Sequence, residues 1–249
     1  MRQDHPGHMP KIIGHRGACG HAPENTLVSI AHAAELGAQA VEFDATITQD
    51  GVAIVLHDYD VDRCSDGSGP VALKTFDEIK RLDAGSWFDK RFAGARIPTL
   101  HDALKLVADK GLRLNLELKP TLGWEEPTAR IIAKVVQDVW PLDLPLLVSS
   151  MSPQALDTFH DRLPGVALGL ITCAIPQNWH LRMRQHHCVA LHCHHDFVTH
   201  DLVQEVHATG ARLHVYTVND DAKAKALFAM GVDAVFTDFP DRLAHHHDI

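Results

Sequence analysis

Residues 11–58 read KIIGHRGACGHAPENTLVSIAHAAELGAQAVEFDATITQDGVAIVLHD, and this segment sets the pattern for the rest of the chain. Short apolar runs of strand character alternate in it with an amphipathic, helix-like stretch. Polar groups interrupt the strand-like runs at Gly14–Gly17, Glu42–Asp44, Asp50–Gly51 and His57–Asp58. Because an unpaired buried charge costs several kcal/mol, a shared ligand, most simply a metal ion together with an anion, would explain so many charges.

The same alternation continues beyond this segment. The strand candidates are Lys11–His15, Ala40–Thr46, Val52–His57, Leu112–Lys119, Leu146–Ser150, Ala167–Ile171, Val189–His192, Arg212–Val218 and Ala234–Thr237. Repeated strand–helix units predict parallel strands with helical crossovers, and about eight units predict a closed barrel. We therefore expect an α/β fold of the (β/α)8 TIM-barrel type. The alternative is an open doubly wound sheet, but no GxGxxG motif follows the first strand.

Helical patterns fill the gaps between the strand candidates. One begins at Asn25–Thr26 and runs to about Leu36, with Gly37 as its stop signal. Others are predicted at Pro127–Val139, Pro153–Leu163, Asn178–His186, Thr199–Thr209 and Asp220–Met230. Residues 58–98 interrupt the rhythm with a Gly-, Ser- and Asp-rich stretch, which we interpret as an insertion over the barrel mouth. We expect residues 10–249 to form a single domain that includes this insertion.

Composition restricts the function classes. A formal net charge of -9 argues against a nucleic-acid or anionic-membrane surface, because such surfaces need a basic field. The polar Met1–Pro10 segment lacks a signal-peptide core, and no later run is long enough to span a bilayer. Five cysteines without CxxC spacing are typical of reduced thiols. We therefore expect a cytoplasmic protein without membrane insertion.

Three carboxylates are the candidate metal ligands. Residues two apart in a strand face the same side, so Glu42 and Asp44 project together. Glu117 lies near the end of another predicted strand, and strand ends of a barrel converge on one site. Crowded carboxylates repel unless a divalent cation neutralises them, and oxygen ligands favour Mg²⁺, Ca²⁺ or Mn²⁺ over zinc. The alternative is that each is a solvated or salt-bridged strand-end charge.

Two histidines and two cations complete the candidate site. His15 and His57 end strand candidates, and two imidazoles across one mouth can act as base and acid on a scissile bond. Arg16 and Lys119 could clamp a phosphoryl group whose charge increases in the transition state. The alternatives are structural, hydrogen-bonded histidines and cations paired with the nearby carboxylates.

These residues occur in a series of motifs that resembles one family. The motifs are HRG at His15–Gly17, PENT at Pro23–Thr26, EFD at Glu42–Asp44, DG at Asp50–Gly51, HD at His57–Asp58 with Arg63 beyond, DAGSWF at Asp83–Phe88, IPTL at Ile97–Leu100, ELK at Glu117–Lys119, YTVN at Tyr216–Asn219 and TD at Thr237–Asp238. In this order they resemble the glycerophosphodiester phosphodiesterases, most closely the bacterial cytosolic branch. The resemblance covers nearly the whole chain after Met9.

The resemblance implies a TIM-barrel enzyme with one divalent metal ion that cleaves glycerophosphodiesters to glycerol 3-phosphate and an alcohol. Carried over by position, Glu42, Asp44 and Glu117 bind the metal ion. His15 and His57 then form the acid–base pair, with either one as the base, and Arg16 and Lys119 hold phosphate. It further implies that the substrate's own glycerol hydroxyl is the nucleophile, by way of a cyclic phosphate. Tyr216 stands where the family often has tryptophan, as part of the wall that faces glycerol.

Two other functions compete with this interpretation. One is a lysophospholipid-cleaving phosphodiesterase, for which residues 58–98 offer only Trp87, Phe88 and Phe92 as an apolar surface. The other is a non-catalytic phosphate- or metal-binding barrel, which would have no need for an acid–base pair of histidines.

Several further residues have two interpretations. Asn25, Trp87, Phe88 and Asp238 could contact substrate, or could serve as a cap, a core pair and a strand-end charge. The His/Cys-rich run at 186–195 crosses a strand whose side chains alternate in direction, which disfavours a tetrahedral zinc site. The His245–His247 tail could bind metal adventitiously.

Overall fold

The computed structural model describes residues 8–141 and 143–246. Its strands are β1 (Ile12–Gly14), β2 (Ala40–Ile47), β3 (Ala53–Val55), β4 (Arg113–Leu118), β5 (Leu146–Ser150), β6 (Ala167–Thr172), β7 (Cys188–His194), β8 (Arg212–Tyr216) and β9 (Ala234–Thr237). All except β3 pair in parallel, and β1 pairs with both β2 and β9. The parallel strands therefore close into an eight-stranded barrel, and the predicted fold is confirmed.

Helices surround the barrel. They are α1 (Leu27–Glu35), α2 (Phe76–Ile79), α3 (Leu100–Asp109), α4 (Glu125–Val139), α5 (Pro153–Arg162), α6 (Trp179–Gln185), α7 (His200–Ala208), α8 (Asp221–Met230) and α9 (Pro240–Leu243). Local chemistry sets several ends: Thr26 caps α1 by accepting from the Ser29 amide, and Gly37 follows it with a φ of +83°. The apolar faces of the helices pack on the outer side of the strands in one large core.

The third strand differs from the rest of the sheet. The sequence pattern at Val52–His57 resembles that of the barrel strands, but β3 runs antiparallel to β2, with Ala45 opposite Val55. Gly51, with a φ of +79°, turns the chain between them. A connection this short can join only antiparallel strands, because a parallel crossover needs a dozen or more residues. Consequently His57 reaches the barrel mouth from a hairpin beside the barrel.

Residues 58–98 share a small apolar core with β3 and the residue that follows it. Ile54, Leu56, Val61, Val71, Ile79, Ala84 and Ile97 form this apolar cluster, which is separate from the main core. Trp87 and Phe88 stack edge to face, and the Trp87 indole N–H donates to the Ala84 carbonyl. The beginning of the segment reaches the barrel mouth through Asp58 and Arg63. One domain spanning 10–249 stays a prediction.

Candidate active site

A cavity of about 300 Å³ opens at the carboxyl-terminal ends of the barrel strands. Its lining residues are His15, Arg16, Glu42, His57, Asn115, Glu117, Lys119, Met151, Ile171, His192, Tyr216, Thr217 and Phe236. A larger groove of about 570 Å³ lies at the opposite end of the barrel, but its walls are mostly apolar. The mouth cavity is the candidate active site, because it is where the titratable side chains converge.

The three predicted metal ligands come together in this site. Glu42, Asp44 and Glu117 each place a carboxylate oxygen within 4.8 Å of the other two. Glu42 and Asp44 are only 3% and 1% exposed. Burial and the charges of Asp44 and Glu117 raise the pKa of Glu42 well above its usual value, and burial followed by the Asp44 charge raises that of Glu117 to about 7. The cluster therefore has an excess of negative charge that a cation would neutralise.

Asn25 holds Asp44 in place. Its amide Nδ2 donates to Asp44 Oδ2 at 2.9 Å, and the Asp44 backbone N–H donates to Asn25 Oδ1 at 3.2 Å. Asn25 also has a φ of +57°, a conformation that asparagine tolerates better than most residues. Of the two interpretations of Asn25, the structure therefore supports a residue that positions Asp44.

His57 is held between a carboxylate and an ammonium group. Its Nδ1 lies 2.6 Å from Asp58 Oδ1, and its Nε2 lies 3.2 Å from Lys119 Nζ. Burial lowers the pKa of His57, and the positive charges of Arg16 and Lys119 add to this effect. The imidazole is therefore kept neutral, with Nδ1–H donating to Asp58 and a lone pair on Nε2.

His15 is held by a carboxylate from the far end of the sequence. Its Nδ1 lies 2.7 Å from Asp238 Oδ1. Asp238 also accepts hydrogen bonds from Cys19 Sγ at 2.9 Å and from Asn219 Nδ2 at 2.7 Å. Although burial acts in the opposite direction, these donors lower the pKa of Asp238. The anionic carboxylate fixes the orientation of the His15 ring and directs Nε2 away from Asp238.

Arg16 lies beside the carboxylate cluster in a left-handed conformation, with a φ of +50°. Its backbone N–H donates to Glu42 Oε2 at 2.9 Å, and its guanidinium contacts Glu24 at 2.6 Å and Asp44 at 3.5 Å. Burial would lower the pKa of Arg16, but the charges of Asp44, Glu24 and Glu42 raise it. Arg16 therefore stays charged while it pairs with carboxylates.

Lys119 and Tyr216 form part of the cavity wall. Lys119 Nζ lies 3.2 Å from Glu117 Oε1. Burial would lower the pKa of Lys119, but the charges of Glu117 and Asp44 raise it. The Tyr216 hydroxyl donates to the Thr172 carbonyl at 2.9 Å, so the ring is fixed as a wall and its hydrogen-bond donor is already used.

Glu24 is a site residue to which the sequence analysis gave no role. It accepts two hydrogen bonds from Arg63, at 2.7 and 2.8 Å, in addition to its pair with Arg16. Arg63 in turn donates to Asp58, the partner of His57. Both residues stand in or beside motifs of the sequence, PENT and the Arg63 that follows HD. However, only the folded structure shows that these two charges, 39 residues apart, form a pair.

Other candidates lie away from the cavity. Trp87 and Phe88 do not line the cavity and pack edge to face on each other, which supports their interpretation as a packed aromatic pair. The His/Cys-rich run at 186–195 is divided between the two ends of β7: His186 pairs with Asp157, whereas His194 and His195 lie near Asp196. In the tail, His245 and His246 contact Asp221, and His247 lies outside the described residues.

Comparison with known proteins identifies the family to which this chain belongs. The sequence model of the glycerophosphoryl diester phosphodiesterase family matches residues 15–242. The chain belongs to this family. It is 33% identical over 233 residues to a glycerophosphodiester phosphodiesterase of Caldanaerobacter subterraneus subsp. tengcongensis, with 93% of this chain and 95% of the relative covered. The predicted resemblance and the predicted enzyme class are both confirmed.

Solved structures of the glycerophosphoryl diester phosphodiesterase family share the fold. An Oleispira antarctica phosphodiesterase in complex with the product sn-glycerol-3-phosphate matches with a TM-score of 0.94 and 38% identity, over 97% of this chain and 98% of that one. A glycerophosphodiester phosphodiesterase from Agrobacterium tumefaciens matches with a TM-score of 0.82 and 29% identity, over 95% and 100% of the two chains. Among the described residues, no helix combines the length and apolar character needed to cross a bilayer.

Proposed function

We propose that this protein hydrolyses glycerophosphodiesters to sn-glycerol 3-phosphate and an alcohol in a reaction that depends on one divalent cation. The observation that carries the proposal is the convergence of three carboxylates, two carboxylate-held histidines and two cations on one cavity. The product complex of the Oleispira antarctica relative supports the choice of glycerol phosphate. The cytoplasm remains our proposed location, supported by the free thiols of all five cysteines, which lie in the described ranges.

The carboxylate cluster fits a hard divalent cation. Oxygen ligands bind Mg²⁺ at about 2.0–2.1 Å and Ca²⁺ at about 2.3–2.6 Å, so oxygens within 4.8 Å of one another can share an ion. Glu42, Asp44 and Glu117 would hold it. When bound, the cation supplies Lewis-acid polarisation of a phosphoryl oxygen. Mg²⁺, Ca²⁺ and Mn²⁺ all suit this ligand set.

The surroundings of the two histidines support different roles: burial and the nearby cations Arg16 and Lys119 lower the pKa of His57 and favour its neutral form, whereas His15 contacts the Asp238 carboxylate. His57 is the proposed general base, because Nδ1–H donates to Asp58 and the lone pair on Nε2 can accept the nucleophile's proton. His15 is the proposed general acid, because the Asp238 carboxylate at Nδ1 stabilises the imidazolium that protonates the leaving oxygen. In the proposed first step a hydroxyl of the substrate's own glycerol gives its proton to His57 and attacks phosphorus, and the alcohol leaves with a proton from His15. Water then opens the resulting cyclic phosphate to give glycerol 3-phosphate, with the two histidines in exchanged roles.

The phosphoryl group lies between the two cations in this scheme. Arg16 and Lys119 line the cavity, and each keeps its charge despite burial. Donors that are already in place can stabilise charge in the transition state without reorganising. Tyr216 would contact the carbon atoms of glycerol through its ring.

Chelation tests the proposal. Glycerophosphocholine is supplied to protein dialysed against EDTA, and sn-glycerol 3-phosphate release is followed with a coupled dehydrogenase. We expect the rate to fall at least 100-fold and to return with Mg²⁺, Ca²⁺ or Mn²⁺. Full activity after exhaustive chelation would refute the metal role, and no turnover of any glycerophosphodiester with any of the three ions would refute the proposed substrate class.

Cleavage of lysophospholipids is a second candidate, and one observation favours it. Leu122, Met151 and Phe197 are exposed apolar side chains, and each lies on a loop that follows a barrel strand at the mouth. Such loops could receive an acyl chain beside the cavity. Initial rates on glycerophosphocholine and on lysophosphatidylcholine below its critical micelle concentration distinguish the two. We expect the water-soluble diester to react faster.

A further inference from the structure

The floor of the cavity contains a histidine that the proposed chemistry does not use. His192 lies two residues before the end of β7, one layer of inward-facing side chains below His194 and Tyr216, which are paired in register. Its side chain is 1% exposed and lines the cavity. Gly169 makes room for it, because a Cβ at that position would lie 2.8 Å from His192 Nε2. The ring therefore occupies a space that the barrel leaves open for it.

One ring nitrogen of His192 is paired and the other is not. Nε2 lies 3.1 Å from Nδ1 of His214, the residue paired with His192 on β8. Nδ1 has no hydrogen-bond partner within residues 8–141 and 143–246. Asn115 adds a second polar group to the floor: its Nδ2 donates to Ser149 Oγ at 3.0 Å, and its Oδ1 lacks a partner in the described part of the chain. Buried polar groups are almost always paired, so this floor fits a polar ligand.

The hydrogen bond between His192 and His214 determines which ring nitrogen of His192 carries the proton. Burial lowers the pKa of both rings, so both are neutral. His214 Nε2 is buried without a partner in the described residues. A lone pair without a partner is tolerated better than a buried N–H without one, so His214 carries its proton on Nδ1 and donates it to His192 Nε2. His192 then carries its own proton on Nδ1, as a donor to the cavity.

The chemistry of the floor selects a hydroxyl group over a phosphate. A neutral imidazole adds no positive charge, and the phosphoryl group already has Arg16 and Lys119. Ile171 and Phe236 line the cavity beside His192 and offer apolar contact to carbon. Glycerol combines carbon with hydroxyl oxygens, and it is the small arm of a glycerophosphodiester.

We propose that His192 contacts substrate and donates Nδ1–H to the glycerol hydroxyl farthest from the phosphate, and that His214 is the residue that positions it. This inference rests on the proposed function. It assigns to His192 the selection of glycerol over a diol that lacks the terminal hydroxyl. A site built to bond a hydroxyl rejects an analogue without one, because its polar group is then left unpaired.

Substrate pairs test the proposal. The pair is glycerophosphocholine and the matching propane-1,2-diol phosphocholine, in which hydrogen replaces the terminal hydroxyl. We expect the wild type to prefer glycerophosphocholine at least tenfold in kcat/KM. His192→Leu should lower kcat/KM for glycerophosphocholine about tenfold and change that for the diol by less than threefold. His192→Gln, which keeps an N–H donor, should restore part of the preference.

Two more variants separate substrate contact from structure. His214→Leu should weaken the preference less than His192→Leu does, because the ring loses its orientation but remains. His186→Leu removes a buried histidine that pairs with Asp157 before β7, at the opposite end of the barrel, and should leave the preference unchanged. Equal losses on both substrates in His192→Leu would overturn the proposal and indicate a packing role.

Product binding distinguishes failure of this inference from failure of the proposed function. Calorimetry with sn-glycerol 3-phosphate and propane-1,2-diol 1-phosphate needs no turnover. We expect the wild type to bind the glycerol phosphate about tenfold more tightly and His192→Leu to bind both equally. No preference in the wild type would overturn the role of His192 even if the diester is hydrolysed, and a preference without hydrolysis would refute only the proposed function.

Discussion

At the scale of single side chains, hydrogen bonds to carboxylates orient the two histidines of the candidate site. Each of the two histidines is held at Nδ1 by a carboxylate, Asp58 for His57 and Asp238 for His15. Asp58 is the next residue in the chain, whereas Asp238 is 223 residues away from its partner. The orientation of the two rings therefore depends on one local contact and on one contact made by barrel closure.

Asp238→Asn tests the orientation of His15. Because an amide can donate to Nδ1 and thereby favour the wrong tautomer, we expect kcat to fall by about 10²- to 10⁴-fold. KM should change little, and the alkaline limb of the pH–kcat profile, which reports the general acid His15, should move. Asp241→Asn is the matched control, because Asp241 accepts from His21 at the surface. If both variants keep wild-type kcat, His15 does not depend on Asp238.

Glu117→Gln tests the metal ligands. Removing one charged oxygen should raise the cation concentration needed for half-maximal activity at least tenfold. The measurement is a titration of initial rate with Mg²⁺ and with Mn²⁺. Glu35→Gln, at an exposed position at the end of α1, should give the wild-type curve. An unchanged titration for Glu117→Gln would remove this residue from the metal site.

Among single elements, the loop from β1 to α1 holds Arg16 and several other polar groups of the candidate site. Gly17 has a φ of +85° and lies against Ser29 of α1, where a Cβ would come within 2.5 Å of Ser29 Oγ and 2.6 Å of the Ser29 carbonyl carbon. The Gly17 amide also donates to the Glu42 carbonyl at 3.1 Å. The helix and the Arg16 backbone can therefore approach β2 only if residue 17 has no side chain.

Gly17→Ala should destabilise the protein by more than about 2 kcal/mol, because a left-handed alanine and a backbone clash add together. Gly94→Ala is a matched control with a φ of +87° and no atom within 4 Å of the added Cβ. We expect about 1 kcal/mol for the control, from conformation alone. Urea unfolding followed by circular dichroism measures both, and equal losses would show that contact with Ser29 has no cost.

For the molecule as a whole, the buried and neutral pair His192 and His214 makes the free energy of unfolding depend on pH. An unfolded histidine takes up its proton near pH 6.5, whereas burial lowers the pKa of His214 in the fold to about 4 and that of His192 well below its usual value. Between these values the unfolded chain binds more protons. The contribution to stability is therefore complete above pH 6.5 and is lost as the pH falls towards 4.

As the pH is lowered from 6.5 to 4, the free energy of unfolding should fall by about 1.4 kcal/mol per pH unit for each of these two histidines. Comparing the wild type with His192→Leu/His214→Leu isolates the effect, because the other titrating groups are common to both proteins. Urea unfolding at pH 7, 6 and 5 should show a steeper pH dependence for the wild type. Parallel curves would mean that folding does not lower the pKa of either histidine.

The sequence contained the information that is local or periodic. Alternating apolar runs with helical spacing predicted the barrel, and β5 (Leu146–Ser150) and β9 (Ala234–Thr237) have the predicted bounds. The period of two along a strand placed Glu42 and Asp44 on one side of β2, and both lie in the carboxylate cluster. Such features follow from backbone geometry over a few residues, so they can be inferred without knowing which strands are neighbours.

Contacts between distant segments required the folded barrel. The apolar run at Val52–His57 does not distinguish a barrel strand from the antiparallel β3. Glu24 pairs with Arg63, Asp238 with His15, and His192 with His214. Barrel closure brings Asp238 to His15, the adjacent strands β7 and β8 bring His192 to His214, and the insertion brings Arg63 to Glu24. None of these contacts leaves a periodic trace along the chain. The residue types were readable from the sequence, but their hydrogen-bond partners depend on which strands and loops become neighbours in the fold.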